Sequence, residues 1–275
     1  MKIFLKPLWR KYVGLCIRHP DFAPPMPQNF GLAGWKWCHP AYFRHEWSRD
    51  EDGTLRTLHR LLRPGDDFYD VGANIGVIAL VASHRVDKSG RVIAFEPAAA
   101  NLCMLRYHLK WNRAANVRVE PTCVGAACGE TVFSLLEDGL STGNSLTFSR
   151  KSDPAFVREK FQNVSVPVTT LDAYWRQSGI TPRVIKIDVE GAEYDVLAGA
   201  RQLLADHRPA LLIGVHPFWW PDGQPPHAIT EFLSEYEYDV FTVNGEKAVP
   251  ETYADFLCLP RQGMSRVAES VFAHG

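Results

Sequence analysis

Several features that would assign this sequence at once are missing from it. Its six cysteines (Cys16, Cys38, Cys103, Cys123, Cys128 and Cys258) contain no C-x-x-C pair, so they spell neither a zinc ribbon nor a disulfide framework. A formal net charge of −1 over 275 residues provides no global field to recruit nucleic acid. There is no internal repeat and no low-complexity tract. The first twenty residues have no uncharged run longer than six, too short for a signal-peptide core or a membrane span. A reduced, cytoplasmic setting is therefore expected, and the sequon Asn163-Val164-Ser165 carries no weight in it.

The same N-terminal stretch, MKIFLKPLWRKYVGLCIRHP, has five Lys or Arg and no acid, interleaved with Ile3, Phe4, Leu8, Trp9 and Ile17. It reads as a helix that either packs on the main domain with its basic side in solvent or makes weak contact with a membrane surface. Residues 20 to 50 are rich in Pro, Gly and aromatics, which suits irregular chain wrapped over a surface and able to cap a pocket. The expected organisation is an extension over 1–53, one domain over 54–262 and a tail over 263–275.

Within that domain the period alternates. TLRTLHRLL places Leu55, Leu58, Leu61 and Leu62 on one helical face, and Pro64-Gly65 ends it. The strand DFYDV follows, then RVIAFEP, a helix NLCMLRYHLKWN, the strand NVRVEPTCVG, and two extended stretches, TVFSLL and VSVPVTTL. RVIKIDV leads into one helix, EYDVLAGARQLL; ALLIGVH is followed by the helix HAITEFLSEYEY; DVFTV and DFLCL close the series. Strands spaced by helices predict an α/β doubly wound sheet, mostly parallel, with helices on both faces. The last two strands are joined by too short a loop for a parallel crossover, so one antiparallel strand is expected near the C-terminus.

Ligands of such sheets bind beyond the carboxyl ends of the strands. The corner there, DVGANIG (70–76), has glycines spaced G-x-x-x-G, where a dinucleotide site shows G-x-G-x-x-G. Gly72 and Gly76 allow close backbone approach, and Asp70 before them would repel a diphosphate and welcome an ammonium group. S-adenosyl-L-methionine, cationic and phosphate-free, fits that charge. Glu96, at the end of the next strand and fixed by Pro97, offers two coplanar oxygens to the ribose hydroxyls.

With these residues the sequence resembles the FkbM family of S-adenosylmethionine-dependent methyltransferases, through DVGANIG (70–76), AFEP (94–97) and KIDVEGAE (186–193), with VTTLDAY (168–174) as a weaker fourth match. The resemblance covers about residues 54 to 217. It implies a class I methyltransferase (Rossmann-like) sheet of seven strands with the last hairpin reversed, and methylation of a hydroxyl on a small molecule: a sugar, a lipid or a secondary metabolite. It places Asp70, Gly72, Asn74, Gly76 and Glu96 at the cofactor, and Val124 and Gly125 where adenine lies. Where the family usually has an acid on the fifth strand, this chain has Gly214 in LLIGVHP, which puts the role of that acid in doubt.

Methyl transfer to oxygen requires alignment, exclusion of water and a place for a proton. Asp188 and His216 end neighbouring strands; His216, with an ordinary pKa near 6.5, reads as the base, and Asp188 as the group that orients it or holds the ammonium or the acceptor. Glu190 and Glu193 read as acids at a helix start. Lys186, inside a strand, needs a partner, either Asp188 or Glu190. Two acids on adjacent turn positions point apart as often as together, so no metal site is assigned to Asp188, Glu190 and His216. HPFWWPDG reads as an aromatic acceptor wall or as core, and DGLSTGNSLTFSRKSDP as a gating loop. A nicotinamide-dependent oxidoreductase and a non-catalytic cofactor-binding protein are the competing readings.

Overall fold

In the computed structural model the chain is described over residues 24–29, 34–38, 51–136, 161–217, 220 and 227–262. The basic N-terminus, the segment 138–154 and the tail from 263 lie outside the described residues, as do Phe218, Trp219 and 221–226 of the aromatic stretch. In chain order the elements are β1 (Met26–Asn29), β2 (Trp35–Cys38), α1 (Glu51–Leu61), β3 (Asp67–Val71), α2 (Val77–Val86), β4 (Arg91–Phe95), α3 (Ala99–Trp111), β5 (Val117–Glu120), β6 (Cys123–Val124), β7 (Gly129–Leu136), β8 (Phe161–Thr169), α4 (Leu171–Ser178), β9 (Val184–Ile187), α5 (Glu193–Ala198), α6 (Arg201–His207), β10 (Ala210–Val215), α7 (Ala228–Glu235), β11 (Tyr238–Thr242) and β12 (Ala254–Pro260).

Seven strands form one sheet in the order β11-β12-β10-β9-β3-β4-β5. All neighbours are parallel except β12, which runs against both β10 and β11. This is the reversed strand expected from the short final loop. β9 and β10 are buried along their whole length, which explains why they read as unbroken apolar runs. Side-chain alternation splits the core in two: Phe68, Ala94, Leu212 and Leu257 face α1, α2 and α3, whereas Tyr69, Ile93, Ile185 and Ile213 pack with Leu171, Leu197, Leu203 and Phe232 on the other side. From β3 the chain moves outward to β4 and β5 and later returns to β9 on the other flank, so the strand order reverses at β3. That is where an open α/β sheet has a crevice.

Three local features differ from the sequence expectation. NVRVEPTCVG is two strands, not one: β5 stays in the main sheet, whereas β6 joins the extended stretches TVFSLL and VSVPVTTL in a second sheet of order β6-β8-β7. A helix, α4, follows directly: the Thr170 hydroxyl accepts from the Ala173 N–H at 3.0 Å and Gly179 ends it in the left-handed region. Thr170→Ala is expected to cost about 1 kcal/mol and to lower the Tm by about 3 °C in thermal unfolding; an unchanged Tm would rule out the cap. Third, EYDVLAGARQLL is two helices, not one. Gly199 stands at the break between α5 and α6, where a Cβ would lie 2.1 Å from the Gly125 carbonyl oxygen and the Gly199 carbonyl accepts from the Asp172 N–H at 2.9 Å.

The described part of the aromatic extension is a hairpin of β1 and β2, not irregular chain. It docks on the end of α3, where the Trp37 N–H donates to Asn112 Oδ1 at 2.9 Å and Asn112 Nδ2 donates back to the Trp37 carbonyl at 2.8 Å. Pro25, Lys36 and Trp37 border a hollow with Ser83, Asp87 and Trp111, at the end of α2 and α3 remote from the crevice. The described residues of the extension therefore do not cap the pocket. No helix among the described residues is long and apolar enough to cross a membrane.

Candidate active site

A cleft of about 1140 Å³, open mouth included, lies over the carboxyl ends of β3, β4 and β9, large enough for a nucleoside with room to spare. Its first wall is the corner after β3. Gly72, Asn74 and Gly76 all have positive φ (76°, 51° and 87°), which turns the chain sharply before α2. The end of β9 crosses so close that a Cβ on Gly72 would lie 2.0 Å from the Asp188 carbonyl oxygen. The N–H groups of Gly72 and Ala73 donate to the Phe95 carbonyl at 3.1 and 2.9 Å, that of Gly76 to Ala73, and that of Asn74 to Glu96 Oε2 at 2.8 Å.

Glu96 is 4% exposed. Its Oε1 accepts from the Ala98 N–H at 2.9 Å and from Asn101 Nδ2 at 3.2 Å, so Oε2, with one internal bond, is the oxygen with capacity left for a ligand hydroxyl. Both oxygens had been expected to serve the ribose. Burial pushes the Glu96 carboxyl up to about 7, against the pull of those donors. Beyond Glu96 the wall is apolar, with Phe95, Pro97, Cys123, Val124 and Phe133.

Of the residues singled out from the sequence, Gly72, Asn74, Glu96, Pro97, Val124 and Asp188 line the cleft, whereas Asp70, Gly76, Gly125 and His216 stand behind it. Gly76 packs against Leu105 and Gly125 against Val168 and Gly199. Asp70 corrects the charge argument made for this corner. It is fully buried under the cleft on a central strand, and its counter-charge is Lys186 Nζ at 3.6 Å. It presents no free charge to a ligand. Burial raises its pKa and Lys186 opposes the rise.

Lys186 organises the floor. It pairs with Asp188 Oδ2 at 3.2 Å and donates to the Gly72 carbonyl at 2.9 Å, tying β9 to the corner. Burial alone would lower its pKa, but Asp188 and Asp70 outweigh it and hold the ammonium charged. Partial burial would likewise raise Asp188, yet Lys186 and His216 keep it below the ordinary carboxylate range. Its side chain is 39% exposed on the wall.

His216 lies behind Asp188, with Nε2 3.6 Å from Asp188 Oδ1 and 3.8 Å from Glu190 Oε2. Its Nδ1 meets Glu193 Oε1 at 3.0 Å. Glu193 is an acid at a helix start, as expected, the first residue of α5, but it is also fully buried, accepts from the Gly191 N–H at 2.9 Å, and receives Trp220 Nε1 at 3.3 Å on Oε2. Burial would lower the pKa of His216, but Glu193, Asp188 and Glu190 raise it to about 9. In this setting the ring is already protonated at neutral pH, so it does not stand ready as the base expected from its ordinary pKa.

An acid from the neighbouring strand stands beside Gly214. Gly214 pairs in register with Asp255 of β12, and a Cβ on Gly214 would lie 3.2 Å from Asp255 Oδ1 and 3.3 Å from Asp188 Oδ1. Asp255 thus fills the space a side chain at 214 would take, lines the cleft, and accepts from the Thr54 hydroxyl of α1. Burial raises its pKa. Sequence reasoning missed it, because the register of an antiparallel neighbour is not written in any local motif.

A seven-stranded sheet in this order, one strand reversed, with a cleft at its switch point, defines a class I methyltransferase architecture. The chain belongs to the FkbM methyltransferase family: the profile of the Methyltransferase FkbM domain matches residues 70–240. It is similar to the hexuronic acid methyltransferase AglP of Haloferax volcanii, at 27% identity over 201 residues, 68% of this chain and 69% of that one. Methyltransferase 1 of Beauveria bassiana is 28% identical over 148 residues, 50% of this chain and 59% of that protein. The crystal structure of an FkbM methyltransferase from Methylobacillus flagellatus KT superposes with a TM-score of 0.45 at 19% identity, covering 74% of this chain and 49% of that one, so this chain spans about half of that structure.

Proposed function

We propose that the protein transfers the methyl group of S-adenosylmethionine to a hydroxyl of a small molecule: a sugar, a glycolipid or a secondary metabolite. The observation that carries the choice of cofactor is the fate of the corner's amides. The N–H groups of Gly72, Ala73, Asn74 and Gly76 are all bonded within the chain, so they form no cradle for a phosphate. A phosphate-free nucleoside fits instead: Glu96 Oε2 meets a ribose hydroxyl and Phe95, Val124 and Phe133 enclose a flat base. The acceptor class is supported by the name of the Haloferax relative, which acts on a hexuronic acid.

When bound, the cofactor supplies an electrophilic methyl group on a sulfonium. The chain's part is to place the acceptor oxygen in line and to receive its proton. Asp188, on the wall of the cleft, meets that hydroxyl through one oxygen, and Lys186 fixes the other. His216, clamped by Glu193, is the positioning partner of Asp188. We place the methyltransferase unit at 54–262. The buried, unpaired thiols of Cys38, Cys123 and Cys258 suit action in the cytoplasm.

Titration calorimetry tests the cofactor: S-adenosylhomocysteine is expected to bind with micromolar affinity and NAD(H) to give no heat, and the opposite pattern would overturn the proposal. Incubation with the cofactor and a panel of sugars, uronic acids and polyketides should then yield a product heavier by one methyl group. Cofactor binding with no product across the panel would leave a non-catalytic binding protein.

A further inference from the structure

The acceptor end of the cleft carries donor atoms arranged around a gap. Asp188 and Glu190 lie on the wall just after β9, and His216, 7% exposed, ends β10 facing both. A buried carboxylate fixed on Nδ1, here Glu193, keeps that nitrogen protonated and turns Nε2 the other way, so that a cation binding there takes the place of the Nε2 proton. Nε2 is aimed at Asp188 Oδ1 and Glu190 Oε2 from 3.6 and 3.8 Å, beyond hydrogen-bond reach, and makes no hydrogen bond among the described residues. Lys186 holds Asp188 by Oδ2, which leaves Oδ1 directed at the same gap.

The three groups each offer one atom within 4.8 Å of the others. Ligands of a hard divalent cation stand about 3 Å apart when adjacent and about 4–5 Å apart when opposite. The observed separations fall in that interval, so a cation enters with small side-chain movements. The sequence left open whether two acids on one turn point apart or together; here Glu190, with a left-handed backbone (φ 52°), has its carboxylate on the same side as that of Asp188 and the His216 ring.

We propose that Asp188, Glu190 and His216 bind a divalent cation of the Mn²⁺ type at the acceptor end of the cleft. Two carboxylates with one imidazole suit Mn²⁺ better than Mg²⁺, which prefers oxygen alone, and the absence of thiolate speaks against a structural zinc site. Three protein ligands leave further positions for water and for the acceptor. A hydroxyl bound there loses its proton more readily, which relieves the chain of the need for a strong base. The cation also selects the acceptor: molecules with two neighbouring oxygens, such as vicinal diols or a uronic acid with its carboxylate beside a hydroxyl, can chelate it. This role rests on the methyl-transfer reading; the binding itself does not.

Metal-free protein titrated with MnCl₂ is expected to bind one Mn²⁺ per chain with micromolar affinity, and pulsed EPR of the bound ion to show coupling to one imidazole nitrogen. Glu190→Gln should weaken Mn²⁺ binding at least about tenfold, and Glu193→Gln, which alters only the group behind the imidazole, by about 10–100-fold. S-adenosylhomocysteine binding by each variant checks that the cleft is still formed. No Mn²⁺ binding by the wild type, no nitrogen coupling, or affinity unmoved by Glu190→Gln in a protein that still binds S-adenosylhomocysteine would each overturn the cation site. If Mn²⁺ binds and S-adenosylhomocysteine does not, the cation site stands and the methyl-transfer reading falls; the reverse result does the opposite.

Discussion

Lys186→Met is expected to destabilise the protein by about 3–5 kcal/mol, the cost of leaving a buried charge without its partner. Methionine keeps the length and the apolar stem but removes the one cation shared by Asp70 and Asp188. Asp188 can turn to water at the cleft; Asp70 is fully buried and cannot. Loss of the Lys186 bond to the Gly72 carbonyl also frees the corner to shift. At about 2–4 °C per kcal/mol for a domain of this size, the Tm should fall by about 10 °C. Adding Asp70→Asn to Lys186→Met should return more than half of the loss, because a neutral amide no longer needs the ammonium. The deficit should also shrink as the pH falls, since Asp70, whose pKa burial raises above its unfolded value, then takes up a proton in the folded state first. Urea unfolding of the single and double variants measures this directly. A single variant within 1 kcal/mol of wild type, or a double variant no better than the single, would show that Asp70 is satisfied by something other than Lys186.

Lys186 also shows what one sequence can and cannot disclose. A lysine inside a buried strand announces that it has a partner, and Asp188, two residues on and on the same face, was one of the two named. Asp70 was invisible as its partner, since the register that sets Asp70 beside Lys186 is a property of the assembled β3 and β9. Read alone, Asp70 looked like a charge offered to a ligand. The same limit hid Asp255 opposite Gly214 and Glu193 behind His216, contacts that join residues far apart in sequence. Legibility followed locality. The corner at 70–76, Glu96 with Pro97, and the reversed strand near the C-terminus are each specified within a few residues or by one loop length, and the structure has the same turn, the same acid and one antiparallel strand there. The second sheet and α4 were not legible, because extended segments carry no mark of the sheet they will join and α4 rests on one capping threonine.

Glu96 gives the largest expected effect on ligand binding. Glu96→Ala removes a charged acceptor of a ribose hydroxyl, worth about 1.5–3 kcal/mol, and leaves the Asn74 and Ala98 amides of the corner without their acceptor. The affinity for S-adenosylhomocysteine should fall by about 100-fold. The pH dependence identifies the cause. In the folded protein burial raises the Glu96 carboxyl from 4.5 to about 7. Its folded pKa lies above its unfolded one, so the group works against folding: its contribution to stability declines as the pH rises from about 4.5 to about 7 and is constant above. Ligand binding runs the other way. A hydroxyl donates to the carboxylate better than to the acid, so binding lowers the pKa of Glu96 and the affinity improves as the pH rises through 7. Between pH 8 and pH 6 the Kd of the wild type should rise by about tenfold, whereas Glu96→Gln, which has no proton to lose, should bind weakly at both pH values and with little slope between them. A wild-type Kd independent of pH across that range would mean that Oε2 does not meet the ligand and that the nucleoside, if it binds, is held by the apolar wall alone.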